Sequence, residues 1–580
     1  MADDLDFFSE LMRIKYWYSV ATLIQCSLLI IPLSLGLMKI FNVADRDVID
    51  AILRFNEHPF TQDALLFSLG VGISSACLTL VFGLPIAWIL ARYKWPNIKF
   101  IRAILTMPFV MPSIVVAVGF LSFIDPDNGP LAYIGIDLRR ETGIIGTLRE
   151  MGIYEHPGHL IALLIAHIWF NLALVIRLSE PSLRDLDSDR IDQLRVLPGG
   201  RSRIGRLRNL WWPLLRPAIG ASFLLTFVQC FSSFVLVRQL MPGSFTIERS
   251  LAELGGAAGI PGYGASDSSM VLGGSILQLS VMIFAMLALS LTQSRQRTVE
   301  PMTRMNNFDH KSPNSLIVLI LGLFVIFSVL PLILVIIGSF QIQDSWSLAG
   351  WEAMAERFQG GTSIFDGIQT SIFYSLIAVL LGLPLSWGAA STIDSLERSG
   401  REKTAIVVDT MTLLPLGVSA AIVGLGLLVG VQKTMPSLFA SLWIPVWGHL
   451  VIATPFSIRV ILSGMRRLDP AYMETGATLG LKNLDRILRI QLPLLRGSII
   501  VASALIIAIS LGEFGASWVL LRGTESMTLP LVIDAQMTRP SFDPTIRPSA
   551  LAGSTILMVV TLLLFLIVER WRDEGDDGGF

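Results

Sequence analysis

Long apolar runs dominate the sequence: Ser19–Phe41, Ala64–Ala91, Ile101–Ile124, Leu160–Leu178, Pro217–Val237 and Met270–Leu291 in the first half, then Ser315–Ile337, Ile368–Ile393, Ala405–Val431, Pro445–Ser463, Ser498–Leu521 and Ala552–Val568 in the second. A helix needs roughly 20 apolar residues to cross a bilayer, so each run is a candidate span and the total is about twelve. The expected fold is an all-α, multi-pass membrane protein. Only 15% of the 580 residues are charged against 53% hydrophobic, whereas a soluble domain carries about a quarter charged residues. A soluble enzyme and a disordered chain are both excluded. The formal net charge of -1 offers no basic surface for nucleic acid. Cys26, Cys77 and Cys230 each lie inside an apolar run, where small packing residues are expected, and none has metal-site spacing. The N-terminus, MADDLDFFSE, is acidic where a signal peptide is basic, so the first run is expected to stay as an anchor.

An even number of spans places both termini on one side. Most of the 44 Lys and Arg residues fall on that side, which the positive-inside rule assigns to the cytoplasm of a cell (inner) membrane. The densest basic stretches are Arg177–Arg216, with nine Arg, and Arg459–Arg496, with seven Lys or Arg. Each follows the fourth run of its half, because the chain is an internal repeat. Phe82-Gly-Leu-Pro-Ile-Ala-Trp88 corresponds to Leu381-Gly-Leu-Pro-Leu-Ser-Trp387. Pro108 and Gly119 match Pro415 and Gly426, His167 and Arg177 match His449 and Arg459, and Pro213-Leu-Leu-Arg216 matches Pro493-Leu-Leu-Arg496. Two six-span repeats of the same orientation are related by an axis along the membrane normal. The layout expected is a cytoplasmic N-terminus over 1–18, a first repeat over 19–297, a linker over 298–314, a second repeat over 315–568 and a cytoplasmic C-terminus over 569–580. Gly and Pro in mid-span, as at Pro85 and Pro384, suit a kink or a close helix approach. His167 and His449 are open to two readings: an intramembrane functional group, or a buried imidazole bonded to a backbone carbonyl.

After the tenth run comes Glu474-Thr-Gly-Ala-Thr-Leu-Gly480, then nine residues, then Ile490-Gln-Leu-Pro493. A helix up to a break at Gly480 and a second from Leu484 to Arg489 make a helix-turn-helix on the membrane surface. The pattern of Glu474, Gly476, Gly480, Ile490, Leu492 and Pro493 resembles the signature loop of permease subunits in binding-protein-dependent ABC importers. The first half holds a degenerate copy over 187–213, with Asp192 for the Glu, Gly199 and Gly200 for the Gly, and Trp212-Pro213 for the Leu-Pro. The resemblance covers both halves, and two permeases fused in one chain look like the thiamine and ferric iron permeases, with Ala166–Asn171 and the segment from Ser510 onward nearer the thiamine branch.

That resemblance implies the type I importer permease fold, with the loop at 469–493 as a coupling helix seated on an ATPase. It implies two ABC ATPase subunits and one periplasmic or lipid-anchored substrate-binding protein as partners, besides the lipid bilayer. It implies no cofactor in this chain, ATP being bound by the partners. The residues agree on one point: no Gly-x-x-x-x-Gly-Lys-Ser/Thr phosphate loop occurs anywhere, so energy for transport has to come from another subunit.

Glu513, in Ser510-Leu-Gly-Glu-Phe-Gly-Ala-Ser517, is the clearest carboxylate inside an apolar run; its repeat counterpart is Ser233. Burial costs several kcal/mol unless the group is paired or wet. Glu513, Ser233, Ser510 and Ser517 are therefore candidates for the translocation path, and the alternative is that Glu513 bonds to backbone at a helix break. The loops 243–269 and 522–548, with Glu248, Glu253, Glu525 and Asp534, are candidates for receiving a binding protein or else solvated connectors. A proton- or sodium-coupled transporter is a second class of function, but it needs no docking loop. An intramembrane enzyme is a third, and no His-Glu-x-x-His or comparable cluster supports it.

Overall fold

The structure, a computed structural model, describes all residues except 1, 44–46, 60, 153, 185–201, 256–264, 297–311, 344, 359–360, 432–436, 438–442, 522–525, 539–541 and 572–580. The described residues are overwhelmingly helical, with one two-residue antiparallel ladder, Gln341–Ile342 against Ser345–Trp346. Eight helices among them are long and apolar enough to cross a membrane: Trp17–Asn42, Ala64–Arg92, Pro157–Leu183, Ser269–Leu289, Ser315–Ser339, Ile364–Arg398, Trp443–Arg467 and Ile546–Trp571. This is an all-α, multi-pass membrane protein.

Four of the expected straight spans are broken instead. Residues 101–124 divide between helices Ile98–Val110 and Ser113–Phe123, bent by 101°, and residues 405–431 divide between Glu402–Gly417 and Ala420–Val431, bent by 95°. Pro112, which has no N–H to give, sits at the first bend, and the second restarts where the Ser419 hydroxyl caps the Ile422 N–H. The runs at 217–237 and 498–521 stop at Phe231 and Gly512 and resume as short helices, Val235–Leu240 and Gly515–Leu521. Hydropathy alone counts apolar residues and is blind to such breaks.

Packing repeats in both halves. Helix Ala64–Arg92 lies along Pro157–Arg184 and both take Trp212–Phe231; in the second half Ile364–Arg398 lies along Trp443–Arg467 and both take Arg496–Gly512. Gly83 makes the first approach possible, since a Cβ there would lie 2.7 Å from Val175. The helices containing Pro85 and Pro384 continue through those residues.

The first helix of each half crosses to the other. Helix Ala2–Val43 packs on Ile364–Arg398 and Gly426–Val431, and helix Ser315–Ser339 packs on Ile98–Val110 and Ser113–Phe123. Two parallel devices hold these crossings. Pro32 offers no N–H to the carbonyl of Leu28, and the Trp447 indole N–H donates to that carbonyl at 2.7 Å. Pro331 likewise leaves the Phe327 carbonyl to the Trp169 indole, at 2.9 Å. Small residues let the backbones meet: a Cβ on Gly426 would lie 2.9 Å from the Pro32 oxygen, and one on Gly119 would lie 2.9 Å from the Pro331 oxygen. The largest buried apolar cluster accordingly runs through both halves.

Candidate functional site

The loop at 469–493 is a compact helical hairpin. The Asp469 side chain accepts the Ala471 N–H at 2.9 Å and Pro470 opens helix Pro470–Thr478, which needs no N–H at its first position. Gly480 closes the helix at φ +78°, with the Leu481 N–H on the Gly476 carbonyl and the Gly480 N–H on the Ala477 carbonyl, both at 3.0 Å. These two hydrogen bonds around a left-handed residue make the Schellman arrangement, which favours glycine. The chain returns through Asn483–Arg486 and a π-turn at Ile487–Gln491 to Leu492–Leu494. Gly476 is where the two arms touch: a Cβ there would lie 2.6 Å from Ile490 Cδ1 and 3.2 Å from Arg486 Cγ. Arg486 Nη1 also donates to the Met473 carbonyl at 3.2 Å.

The base of the hairpin is tied to the end of helix Ile364–Arg398. Arg398 Nη2 donates to the Met465 carbonyl at 2.8 Å, and Arg466 pairs with Glu397. Glu474 is exposed, so the hairpin closes through Gly476 and Gly480 without it. Tyr472, Leu479, Leu484 and Leu488 are each more than half exposed around it, and Leu492 and Pro493 lead back toward helix Arg496–Gly512. Asp192, Gly199 and Gly200 of the first-half copy lie outside the described residues. Pro213 is described and exposed in the first turn of helix Trp212–Phe231, and beside it the Trp211 ring stacks under the Arg92 guanidinium, 4.8 Å from its carbon.

At the break after Gly512 the structure places Glu513, 5% exposed, on the start of helix Gly515–Leu521. Its carboxylate accepts the Ala516 N–H at 2.7 Å, the Ser517 N–H at 2.9 Å and the Ser517 hydroxyl. These are first-turn N–H groups that the helix itself cannot satisfy. His449 joins the group, its Nε2 3.2 Å from Ser517 Oγ and its Nδ1 2.6 Å from Ser510 Oγ, which in turn accepts from Ser375 at 3.1 Å. The first half has the same break with neutral groups: the Ser233 N–H bonds the Cys230 carbonyl as the Glu513 N–H bonds that of Ser510. Ser75 Oγ lies 2.8 Å from His167 Nδ1. The expectation of carbonyl partners for His167 and His449 is therefore corrected, since serine hydroxyls from neighbouring helices take their place. Cys230 is buried as expected, while Cys77 faces outward.

The acidic residues expected on outer loops are turned inward. Helices Ile247–Gly255 and Leu529–Thr538 fold back into the bundle, so Glu248 and Asp534 are buried at 1% and 4% exposure. Such carboxylates persist when ion-paired or hydrogen-bonded: Glu248 accepts from the Gln278 amide, and Asp534 has a cation. Arg238 bonds Asp534 at 3.1 Å and Glu253 at 2.7 Å, and its guanidinium stacks on Trp518, which joins the two halves. Glu525 lies outside the described residues. Sequence reasoning missed this cluster because its members come from different helices with no common spacing.

A second cross-repeat pair, Arg547 Nη2 to Asp125 Oδ2 at 2.8 Å, lines a cavity of about 480 Å³ with Asp127, Arg139 and Arg140. Burial opposes ionisation of Asp125, but Arg547 and the N–H groups of Asn128 and Asp127 hold its carboxyl below the ordinary value. A depressed folded-state pKa gives stability that is present above the unfolded value, about 3.9, and lost as pH falls through the folded value. Arg547→Gln should therefore lower the melting temperature at pH 7, and the gap from wild type should shrink below about pH 4. Melting curves of both proteins from pH 3 to 8 check this, and a gap independent of pH would contradict it.

No family profile matches the chain. Relatives are nevertheless found along nearly its whole length. The thiamine transport system permease protein ThiP of Brucella abortus is 25% identical over 515 residues, covering 87% of this chain and 86% of the relative. The probable ABC transporter permease protein y4fN of Sinorhizobium fredii is 21% identical over 585 residues, covering 97% of each. A Salmonella paratyphi A protein named for a 2-aminoethylphosphonate transport system permease, PhnV, is 26% identical over 263 residues; those are 90% of its length but 43% of this chain. A match to nearly all of one relative that fills less than half of this chain agrees with the duplication seen in the sequence. In length and sequence the chain is similar to permease proteins of transport systems, ABC transporters among them.

Proposed function

We propose that this chain is the transmembrane permease subunit of an ATP-driven importer, that it carries no catalytic activity of its own, and that thiamine is its solute. The observation that carries the reading is likeness over about nine-tenths of the chain to permeases named for thiamine transport. The hairpin at 469–493 supports it, because Tyr472, Leu479, Leu484 and Leu488 leave large apolar side chains exposed there, as residues that a partner covers would be. In this reading Glu474, Gly476, Gly480, Ile490, Leu492 and Pro493, with Asp192, Gly199, Gly200 and Pro213 of the first half, are the contact elements for two ATPase subunits. Both termini and both hairpins then face the cytoplasm, and a binding protein delivers solute from the other side. The two repeats, 19–297 and 315–568, rock against each other as the ATPases close. Glu513, Ser233, Ser510 and Ser517 line the helix breaks between them, with one charged and one neutral side.

The complex of permease, ATPase and binding protein in liposomes tests the assignment. Thiamine should stimulate ATP hydrolysis several-fold and ferric iron should not. In Gly480→Val the left-handed residue becomes strained, so stimulation and uptake should fall together by about tenfold or more while the protein still inserts. Stimulation by iron in place of thiamine would overturn the solute, and full uptake by Gly480→Val would overturn the coupling role.

A further inference from the structure

We propose that Glu141, His156 and His159 form a binding site for one divalent transition-metal ion, with zinc as the best-matched species. The three lie at the start of helix Pro157–Arg184, the end away from residues 185–201, and their ligand atoms all fall within 4.8 Å of one another. The Glu141 carboxylate is buried and sits between the rings: Oε2 is 3.5 Å from His156 Nδ1 and Oε1 is 3.5 Å from His159 Nδ1. That separation is too long for an N–H···O hydrogen bond, which spans about 2.7–3.2 Å. Bonds of about 2.0–2.1 Å around a tetrahedral zinc put ligand atoms about 3.4 Å apart; each nitrogen stands near that distance from one carboxylate oxygen, and the remaining edges, within 4.8 Å here, close when an ion draws the three side chains together. Two imidazoles and one carboxylate are also a donor set that zinc takes up readily, with the remaining position left for water. His156 is one-third exposed, which gives an ion a way in.

The local chain is built to hold the carboxylate there. Glu141 is one of three described non-glycine residues at positive φ, at +54°, a strained backbone that persists where surrounding contacts fix it. The Gly158 N–H donates to Glu141 Oε1 at 3.1 Å, the kind of outer contact that orients a metal-binding carboxylate. Gly158 is also obligatory by space, since a Cβ there would fall 2.1 Å from the Leu138 carbonyl oxygen and 3.1 Å from Glu141 Cγ. Arg149 Nη1 stands 3.5 Å from Oε2, half-exposed, and is the competing cation. With an ion bound, Arg149 turns to solvent and the segment before Pro157 is clamped to the helix start.

Zinc titration of the purified full-length chain after chelator treatment, followed by calorimetry and by melting temperature, decides the matter. One zinc per chain is expected, together with a zinc-dependent rise in melting temperature. Glu141→Gln and the double variant His156→Ala/His159→Ala should each weaken binding at least tenfold and abolish the rise, and Arg149→Ala should bind as tightly as wild type or more so. Absence of zinc binding by the wild type, or wild-type affinity in the double histidine variant, overturns the site. Loss of binding in Arg149→Ala overturns it as well, because the arginine and not an ion would then organise the group. The double histidine variant keeps the buried carboxylate and its Gly158 bond, so its melting temperature without zinc reports whether the fold survived.

Discussion

Gly426→Leu should leave little folded protein to extract from the membrane. A Cβ at position 426 would lie 2.9 Å from the Pro32 oxygen, 3.0 Å from its carbonyl carbon and 3.2 Å from the Leu33 nitrogen. All three are backbone atoms, so no side chain can rotate away and the crossing helix has to move as a body. Overpacking in a well-packed interior costs about 1–3 kcal/mol where side chains can adjust; here the cost should exceed that range. Moving the helix also strips the Trp447 indole from the Leu28 carbonyl, which adds about 1–3 kcal/mol for unpaired polar groups. Gly322→Leu is the internal control, because a Cβ at position 322 meets nothing within 4 Å. Detergent-solubilised yield and melting temperature should collapse for the first and stay near wild type for the second. Equal behaviour of the two would mean that the interlocking of the halves contributes nothing to stability.

The second large effect is expected at Glu513. Glu513→Ala removes the acceptor for the Ala516 and Ser517 N–H groups and for the Ser517 hydroxyl, all buried in the same helix start. Losing a helix cap costs about 0.5–2 kcal/mol and each buried donor left unpaired adds about 1–3 kcal/mol, together a large share of the stability of any domain. Glu513→Gln keeps one acceptor oxygen and should retain more than half of the lost stability. Thermal unfolding of the two variants in the same detergent measures the difference, and a Glu513→Ala protein as stable as Glu513→Gln would refute the capping account. Uptake by Glu513→Gln addresses a separate question, whether the negative charge itself serves the solute.

Much of this architecture was legible in the residues. Apolar runs mark the helices, and the repeat marks their correspondence, down to Pro32 and Pro331 standing at the same spacing as the matched segments 82–88 and 381–387. The hairpin was legible because it is local: Asp469, Gly476 and Gly480 act within 25 residues through caps and one tight contact. The breaks at 112, 232–234 and 513–514 were harder to see, since an apolar run has the same hydropathy whether it is straight or kinked. Contacts between distant helices were not visible at all. Trp169 and Trp447 reach corresponding carbonyls from positions one turn apart in their helices, so the alignment that exposes the repeat hides the match. Arg238 and Asp534 are likewise nearly 300 residues apart in the chain, and only the fold brings them together.

The crossing of the first helices bears on how the protein is made. Leu28 and its partner Trp447 are separated by 419 residues, a stretch that takes a ribosome roughly 20–80 s to synthesise at about 5–20 residues per second. Through that interval the leading segment sits in the lipid with its future neighbour still untranslated. Biogenesis must therefore end in a late annealing step, and a fused gene guarantees that the missing neighbour arrives on the same nascent chain.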